Sequence, residues 1–160
     1  RIISFLNPES DPLGQGYQLI QSKIALGSGG MTGKGFLKGT QSYLEYLPEK
    51  QTDFIFTLIG EEFGFLGTTF IIFLFFILIS ICYYVGIKSI HIFGRILALG
   101  IGTNLFIYVI MNIAMVSGMM PVVGIPLPLI SYGGTAMLSI MISMGILLNI
   151  DLNYNIKKLG

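Results

Sequence analysis

The amino-acid sequence predicts an all-α polytopic membrane protein. Of its 160 residues, 53% are hydrophobic and 11% are charged, whereas soluble domains have about 25% charged residues. The mean hydropathy is +0.80. Residues 63–87 and residues 96–150 contain no Asp, Glu, Lys or Arg. A helix of about 20 apolar residues crosses a bilayer, so we expect this chain to cross a membrane more than once.

The first uncharged run predicts one transmembrane helix, at 63–87, and the second predicts two. The second run is interrupted by SGMMPVVGIPLPLISYGGT, whose three prolines and four glycines would break a helix. We therefore expect helices at 96–116 and 133–150, with an outer Pro/Gly loop at 117–132 between them.

Basic residues in the short connections predict the orientation. Lys88 and Arg95 lie in the loop 88–95, between the first two spans, and two lysines lie in the tail 151–160. The positive-inside rule places both connections in the cytoplasm. The segment 1–62, which holds seven of the eight acidic residues, and the Pro/Gly loop are then extracytoplasmic.

Several classes of function lack support in the composition. The net charge is +1 and no long basic tract occurs, which argues against nucleic acid as a partner. The single cysteine, Cys82, lies in an apolar run, so this chain cannot build a disulfide or a thiolate metal site by itself.

Three polar residues lie in or just after the second span. We expect them to hydrogen-bond neighbouring helices; they are Asn104, Asn112 and Ser117.

The glycine-rich stretch GSGGMTGKG, residues 27–35, resembles a nucleotide-binding loop in composition alone. A P-loop ending on Gly33 and Lys34 would need glycine at position 28 and a hydroxyl at position 35, where this chain has Ser28 and Gly35. The predicted orientation also places the stretch outside the cell, away from nucleotides. We expect a turn here; the alternative is a backbone that approaches a lipid diphosphate.

A short amphipathic helix is predicted just before this stretch. In GYQLIQSKIAL, Tyr17, Ile20 and Ile24 recur at helical spacing, and Gly27 follows as a C-terminal stop. Such a helix either lies on the membrane surface or packs on other parts of the protein, and the pattern does not separate these alternatives.

The densest group of acidic residues is in YLEYLPEKQTDFIFTLIGEEFGFLG, residues 43–67. Thr52 is expected to cap a helix that begins at Asp53, where amides and the helix dipole favour an ionised carboxylate. The apolar neighbours of Asp53 favour the protonated form, and a group under such opposing influences can act as a base near neutral pH. The alternative is that Asp53 only stabilises the helix end.

The other acidic residues of this segment fall into two pairs. Glu45 and Glu49 could converge with Asp53 on one cation or substrate; the alternative is a solvated acidic loop. Glu61 and Glu62, two turns into the helix, are expected to form structural pairs or to line a cavity.

Two stretches together resemble the SEDS family, the RodA, FtsW and SpoVE proteins of bacterial cell-wall synthesis. They are GYQLIQSKIALGSGGMTGKGFLKGTQSYLEYLPEKQTDFIFTLIGEEFGFLG, residues 16–67, and GIPLPLISYGGT, residues 124–135. The resemblance covers nearly the whole chain. It implies the C-terminal portion of the SEDS fold, with the large extracytoplasmic loop and the last three of ten transmembrane helices, in the bacterial cytoplasmic (inner) membrane.

The resemblance implies a glycosyltransferase that polymerises lipid II into glycan strands. Asp53, in TDFIF, matches the family's essential aspartate, a general base for the acceptor's 4-hydroxyl as polyprenyl diphosphate leaves. Glu45 matches an acidic position with an assisting or cation-binding role. No cofactor is expected other than a divalent cation, and the sequence does not identify a metal site.

Further substrate-binding candidates follow from the same resemblance. Lys23 and Lys34 could offset the diphosphate charge, with solvated lysines as the alternative. Glu49, Ser131 and Tyr132 are the remaining candidates.

Three positions depart from the family pattern. Gln51 replaces the histidine of HTD, and Thr135 replaces the serine after SYGG. Val123 stands where division-type members often carry lysine, which favours the RodA, elongation-type branch, with a class B penicillin-binding transpeptidase and other elongation-complex membrane proteins as partners. The alternatives are a division- or sporulation-type paralogue, a lipid II transporter, or a scaffold for the transpeptidase.

Overall fold

The computed structural model describes residues 15–39 and 52–159, with side chains over residues 16–39 and 52–152. In these ranges the chain is all helix and loop, without strands, which confirms the all-α class. The described helices are α1 (Gln15–Ser28), α2 (Ile55–Lys88), α3 (Ile92–Val116) and α4 (Gly134–Leu159). Three of them, α2, α3 and α4, are long and apolar enough to cross a membrane, α4 over Gly134–Leu152.

Helix α2 is longer than a membrane span and is interrupted at Gly64. Its 34 residues would extend about 51 Å at 1.5 Å per residue, whereas the hydrocarbon core is about 30 Å thick. Gly64 has φ 66° and ψ −158°, outside the helical region. The predicted span start at residue 63 therefore corresponds to this kink, and a short helical segment carrying Glu61 and Glu62 precedes it.

The predicted cap of this helix is wrong. Phe54 occupies the N-cap position without a side-chain hydrogen bond, and the helix begins at Ile55. Asp53 thus lies one residue before the cap, in a turn that includes Thr52. The physical reason is burial: the ring of Phe54 is fully enclosed in the core, and enclosing a large apolar ring stabilises the turn more than a threonine cap would.

Helix α1 is present as predicted, but its buried face differs from the predicted one. Leu19, Ser22 and Ala25 are buried, whereas Ile24 is 48% exposed. The Ser22 hydroxyl lies 3.1 Å from the carbonyl oxygen of Val116, at the end of α3. Small residues at a spacing of three let α1 approach α2 and α3 closely, so it packs on the protein through this face.

Helix α3 ends in a Schellman motif at the start of the Pro/Gly loop. The Met119 amide donates to the Ala114 carbonyl at 2.8 Å, and the Gly118 amide donates to the Met115 carbonyl at 3.0 Å. Gly118 takes the positive φ of 71° that this motif requires. The chain then turns back across the end of the helices and enters α4 after Gly133.

Buried apolar side chains of the described residues form one cluster at each end of the helices. The cluster beside the Pro/Gly loop joins α1, the head of α2, the end of α3 and the loop, through Leu19, Phe54, Phe56, Phe75, Val109, Met115, Val116, Val122 and Leu127. The other joins the far parts of the spanning helices through Cys82, Val85, Ala98, Leu105 and Leu147. The first cluster positions the candidate site.

Candidate active site

Asp53 lies between the head of α2 and the Pro/Gly loop. The residue is buried, with 9% of its surface exposed. Its Oδ2 atom is 3.1 Å from the point that a Cβ on Gly124 would occupy. Gly124 has φ 77°, a conformation that favours glycine, so the loop can pass directly against the carboxylate.

Asn112 joins this turn to the loop from within the membrane-spanning helix α3. Its Nδ2 group donates one hydrogen bond to the backbone carbonyl of Asp53 at 3.0 Å and another to that of Ile125 at 2.7 Å. The side chain is completely buried. The expectation that Asn112 hydrogen-bonds a neighbouring helix is therefore wrong, because both of its described partners are backbone carbonyls outside the helices.

Ser131, in the SYGG turn, makes a second connection to the same segment. Its hydroxyl donates to the carbonyl of Thr52 and accepts from the amide of Leu127, 2.7 Å away. The carbonyls of two consecutive residues, Thr52 and Asp53, are thus each bound by a side chain from a different element. The Asp53 turn is held at two adjacent points.

A cleft of about 490 Å³ lies beside this turn, between the head of α2 and the start of α4. This volume falls within the roughly 300–1,000 Å³ usual for small-molecule sites. Tyr132 stands at the cleft with 78% of its surface exposed. The lining residues are Ile55, Leu129, Ile130, Ser131, Tyr132, Gly133, Gly134 and Met137.

The glycine-rich stretch docks into the kink of α2. The amides of Phe65 and Leu66 donate to the carbonyls of Gly30 and Met31, at 2.9 and 3.2 Å. In return, the amides of Lys34 and Gly35 donate to the carbonyls of Glu61 and Glu62, both at 3.0 Å. The stretch therefore provides the backbone partners that the broken helix lacks, which is a requirement for irregular backbone near a bilayer.

The two glutamates of α2 face the same stretch. Lys34 Nζ lies 2.9 Å from Glu61 Oε1, with the lysine side chain 28% exposed and the glutamate 1% exposed. Glu62 accepts a hydrogen bond from the amide of Leu37 at 3.3 Å. The expectation of structural pairing for these glutamates agrees with the contacts, and Lys34 has a partner within the chain.

Lys23 lines a different cavity from the cleft beside the Asp53 turn. The end of its side chain passes over Gly118, where an added Cβ would overlap it. It stands at the edge of a groove of about 530 Å³, otherwise lined largely by apolar residues of α1, α2 and α3, among them Leu26, Phe56, Ile72 and Ile113.

Several predicted site residues lie outside the described part of the chain, namely Glu45, Glu49 and Gln51. Their convergence with Asp53 stays a prediction. Within residues 15–39 and 52–159, no group of three His, Cys, Asp or Glu side chains could hold a metal ion.

The sequence interpretation missed Asn112 and Gly124 as neighbours of Asp53. Asn112 carries a weak signal, because a polar side chain in an apolar span usually has a specific partner. The identity of that partner, 59 positions away, has no local signature.

A bundle of spanning helices with a buried carboxylate beside a cleft at one end defines a multi-pass membrane protein with a polar site at that end. The pattern of the family described as "Cell cycle protein" (FTSW_RODA_SPOVE) matches residues 1–156. The chain belongs to this family, whose members include FtsW, RodA and SpoVE. It is accordingly a multi-pass protein of the bacterial cytoplasmic membrane.

Relatives with different names in this family are similar to the chain over nearly its whole length. "Peptidoglycan glycosyltransferase MrdB" of Escherichia coli (strain K12) is 52% identical over 94% of the chain. "Probable peptidoglycan glycosyltransferase FtsW" of Trichlorobacter lovleyi is 47% identical over 99%, and "Stage V sporulation protein E" of Bacillus subtilis is 44% identical over 94%. The chain spans 40%, 42% and 41% of these proteins, respectively.

A solved structure has the same fold. It is described as "Structural coordination of polymerization and crosslinking by a peptidoglycan synthase complex". The match has a TM-score of 0.75 and 30% sequence identity, and covers 96% of this chain and 41% of that one. The predicted SEDS fold is thereby confirmed.

Proposed function

We propose that the full-length protein is a peptidoglycan glycosyltransferase that polymerises lipid II, with Asp53 as its general base. The observation that carries the proposal is the placement of Asp53. Its carboxylate is buried against Gly124, its backbone is held by Asn112, and the 490 Å³ cleft begins two residues away, at Ile55. The names of the similar glycosyltransferases from Escherichia coli and Trichlorobacter lovleyi support the same reaction.

The reaction makes one bond and breaks another. The Asp53 carboxylate takes the proton of the acceptor sugar's 4-hydroxyl. The resulting oxygen nucleophile forms a bond to the anomeric carbon of the donor, and the bond from that carbon to the diphosphate breaks. The polyprenyl diphosphate leaves with the electron pair. A general base at this position contributes about 10²–10⁴-fold to such a rate.

The protein environment suits this role. Asp53 lies just before the N-terminus of α2, where the positive end of the helix dipole favours an ionised carboxylate. Burial keeps bulk water from the carboxylate, and the backbone contacts hold it in one place. Both properties favour proton transfer from a bound hydroxyl over transfer from solvent.

Charge stabilisation for the leaving diphosphate requires further groups. Lys23 is exposed at the edge of its groove and is our proposed contact for the lipid diphosphate. Lys34 is proposed in the same role, although its ammonium group already contacts Glu61. Glu49 and Tyr132 remain proposed substrate contacts, whereas Ser131 lines the cleft with its hydroxyl already bound to Thr52 and Leu127.

We also propose a divalent cation bound by Asp53 with Glu45 and Glu49. The described part of the chain supplies one carboxylate at this turn, and one carboxylate does not make a cation site. The other two ligands would come from outside the described ranges. No step of the reaction above passes through the cation.

We place the protein in the elongation-type branch, with a class B penicillin-binding transpeptidase and other elongation-complex membrane proteins as partners. Identities of 52%, 47% and 44% to differently named relatives do not separate the branches. Val123, where division-type relatives often carry lysine, precedes the Gly124 that contacts Asp53, so a lysine there would alter the charge near the site. The partner proposal is supported by the synthase complex in the similar solved structure.

The test is polymerisation of lipid II by the purified full-length protein. Wild-type protein should form glycan strands, visible as a ladder on a gel, and Asp53→Asn and Asp53→Ala should not. Ile107→Ala, at a position of α3 that is 51% exposed, serves as the control and should polymerise normally. All variants should elute as folded protein in size-exclusion chromatography.

Each alternative gives a different result. A lipid II transporter would move fluorescent lipid II across vesicle membranes without making strands. A scaffold would support polymerisation only with its transpeptidase partner present and would be indifferent to Asp53. Undiminished strands from both Asp53 variants would refute the proposed role of Asp53.

A further inference from the structure

The two N–H groups of Asn112 are both committed to backbone carbonyls. An asparagine amide has two donor hydrogens on nitrogen, and the described contacts use one for Asp53 and one for Ile125. With the amide reversed, its oxygen would face two carbonyl oxygens, so a single orientation of the side chain satisfies this site. Within the described residues, the buried Oδ1 atom accepts no hydrogen bond. Asn112 therefore contributes to this site through its two N–H donors.

The two carbonyls belong to the parts of the chain that flank the Asp53 carboxylate. One is the backbone of Asp53 itself, and the other belongs to the residue after Gly124, where an added Cβ would lie 3.1 Å from Asp53 Oδ2. Asn112 thus sets the distance between the carboxylate's own backbone and the loop residue that the carboxylate touches. Removing the amide would release both at once.

Ser131 restrains the peptide group next to the one that Asn112 binds. It binds the carbonyl of Thr52 while Asn112 binds that of Asp53, and its oxygen also accepts from Leu127 in the loop. With consecutive peptide groups held from two sides, the Asp53 turn cannot rotate without breaking one of these hydrogen bonds.

We propose that Asn112 is a positioning residue for the Asp53 base, with Ser131 as its second anchor. Asn112 acts from inside a transmembrane helix and touches no substrate. It holds the carboxylate at the distance from the acceptor hydroxyl that proton transfer requires. The inference rests on the proposed function, because it assigns Asn112 a role in that reaction.

The test compares rate and affinity in the full-length protein with lipid II as substrate. A misplacement of about 1 Å costs about 100-fold in rate, so Asn112→Ala should lower kcat about 100-fold. The KM for lipid II should stay within about threefold of wild type, since Asn112 contributes no substrate contact. Asn112→Asp keeps the size of the side chain but replaces its donors with an oxygen, and should lower kcat similarly. Ile107→Ala, a truncation to alanine at an exposed position of the same helix, should leave kcat unchanged.

Ser131 provides an independent pair of variants. Ser131→Ala loses the hydroxyl and should lower kcat, whereas Ser131→Thr retains it and should restore most of the rate. If neither Asn112 variant folds, the two Ser131 variants test the positioning role on their own. A role in folding alone would lower the amount of folded protein and leave kcat per folded molecule unchanged, and that result would overturn the inference.

Asp53→Asn, run in parallel, separates the role of Asp53 as the base from the positioning role of Asn112. Undiminished polymerisation by Asp53→Asn would refute the role of Asp53 as the base, and a wild-type protein that forms no strands would refute the glycosyltransferase function. An inactive Asp53→Asn together with wild-type kcat in folded Asn112→Ala, or in folded Ser131→Ala, would refute only the positioning role.

Discussion

Replacing Gly64 with alanine should destabilise the protein, because this residue lets the glycine-rich stretch enter the kink of α2. Gly64 has φ 66° and ψ −158°, a region of backbone space that is essentially restricted to glycine. An added Cβ would overlap the Gly33 amide and come within 2.9 Å of the Gly30 carbonyl oxygen. Neither contact can be relieved by a side-chain rotation, because both atoms belong to the backbone.

The magnitude follows from two contributions. Backbone strain at such a residue costs about 1–3 kcal/mol. Moving the stretch away from the kink would also break backbone hydrogen bonds, and losing two of the four at about 1 kcal/mol each adds about 2 kcal/mol. We therefore expect the free energy of unfolding to fall by about 3–5 kcal/mol.

The assay is thermal unfolding of full-length protein in detergent, followed by circular dichroism, with Gly100→Ala as the matched control. Gly100 is a helical residue of α3 whose added Cβ would meet no atom within 4 Å. Alanine there should raise stability by about 0.5–1 kcal/mol, because it is a better helix former than glycine. Equal midpoints for Gly64→Ala and wild type would refute this account of the kink.

Two further predictions concern charge. Lys34→Met should destabilise the protein by about 3–5 kcal/mol, because it removes the Lys34 ammonium group from the buried Glu61 carboxylate, whereas the double variant Lys34→Met/Glu61→Met should recover most of the loss in the same unfolding assay. An unaltered midpoint in the single variant would count against the pairing. Chelation of divalent cations with EDTA should lower lipid II polymerisation, because Asp53, Glu45 and Glu49 would lose the ion proposed to hold their carboxylates together, and added Mg²⁺ should restore it. Full activity in EDTA would remove the cation from the proposal.

The membrane spans were predictable because the hydrocarbon core disfavours a charged side chain at every position within it. The uncharged runs at 63–87 and 96–150 mark the three spanning helices, since each charge in lipid is costly. The beginning of α2 was not predictable in the same way. It depends on the burial of Phe54, and its interruption depends on a stretch about 30 positions earlier, so both are consequences of tertiary packing.

The candidate site was likewise predictable only in part. Asp53 could be singled out because an acid beside apolar residues at a helix start is unusual in itself. The neighbours of Asp53 could not be predicted, because Asn112, Gly124 and Ser131 approach this turn through contacts between distant parts of the chain. The pattern of α1 was misleading for a related reason: its buried face consists of Leu19 and small residues, so hydrophobic spacing indicated the wrong side.

Asp53, in the proposed reaction, carries out chemistry and does not merely hold the substrate. The most direct measurement is the rate of forming the first glycosidic bond in a single turnover at saturating lipid II, with the Kd for lipid II measured separately, for wild type and Asp53→Asn. We expect the rate to fall by about 10²–10⁴-fold, as for loss of a general base, while the Kd stays within a few-fold of wild type. An unchanged rate, or a loss accounted for entirely by weaker binding, would contradict the assignment of Asp53 as the base.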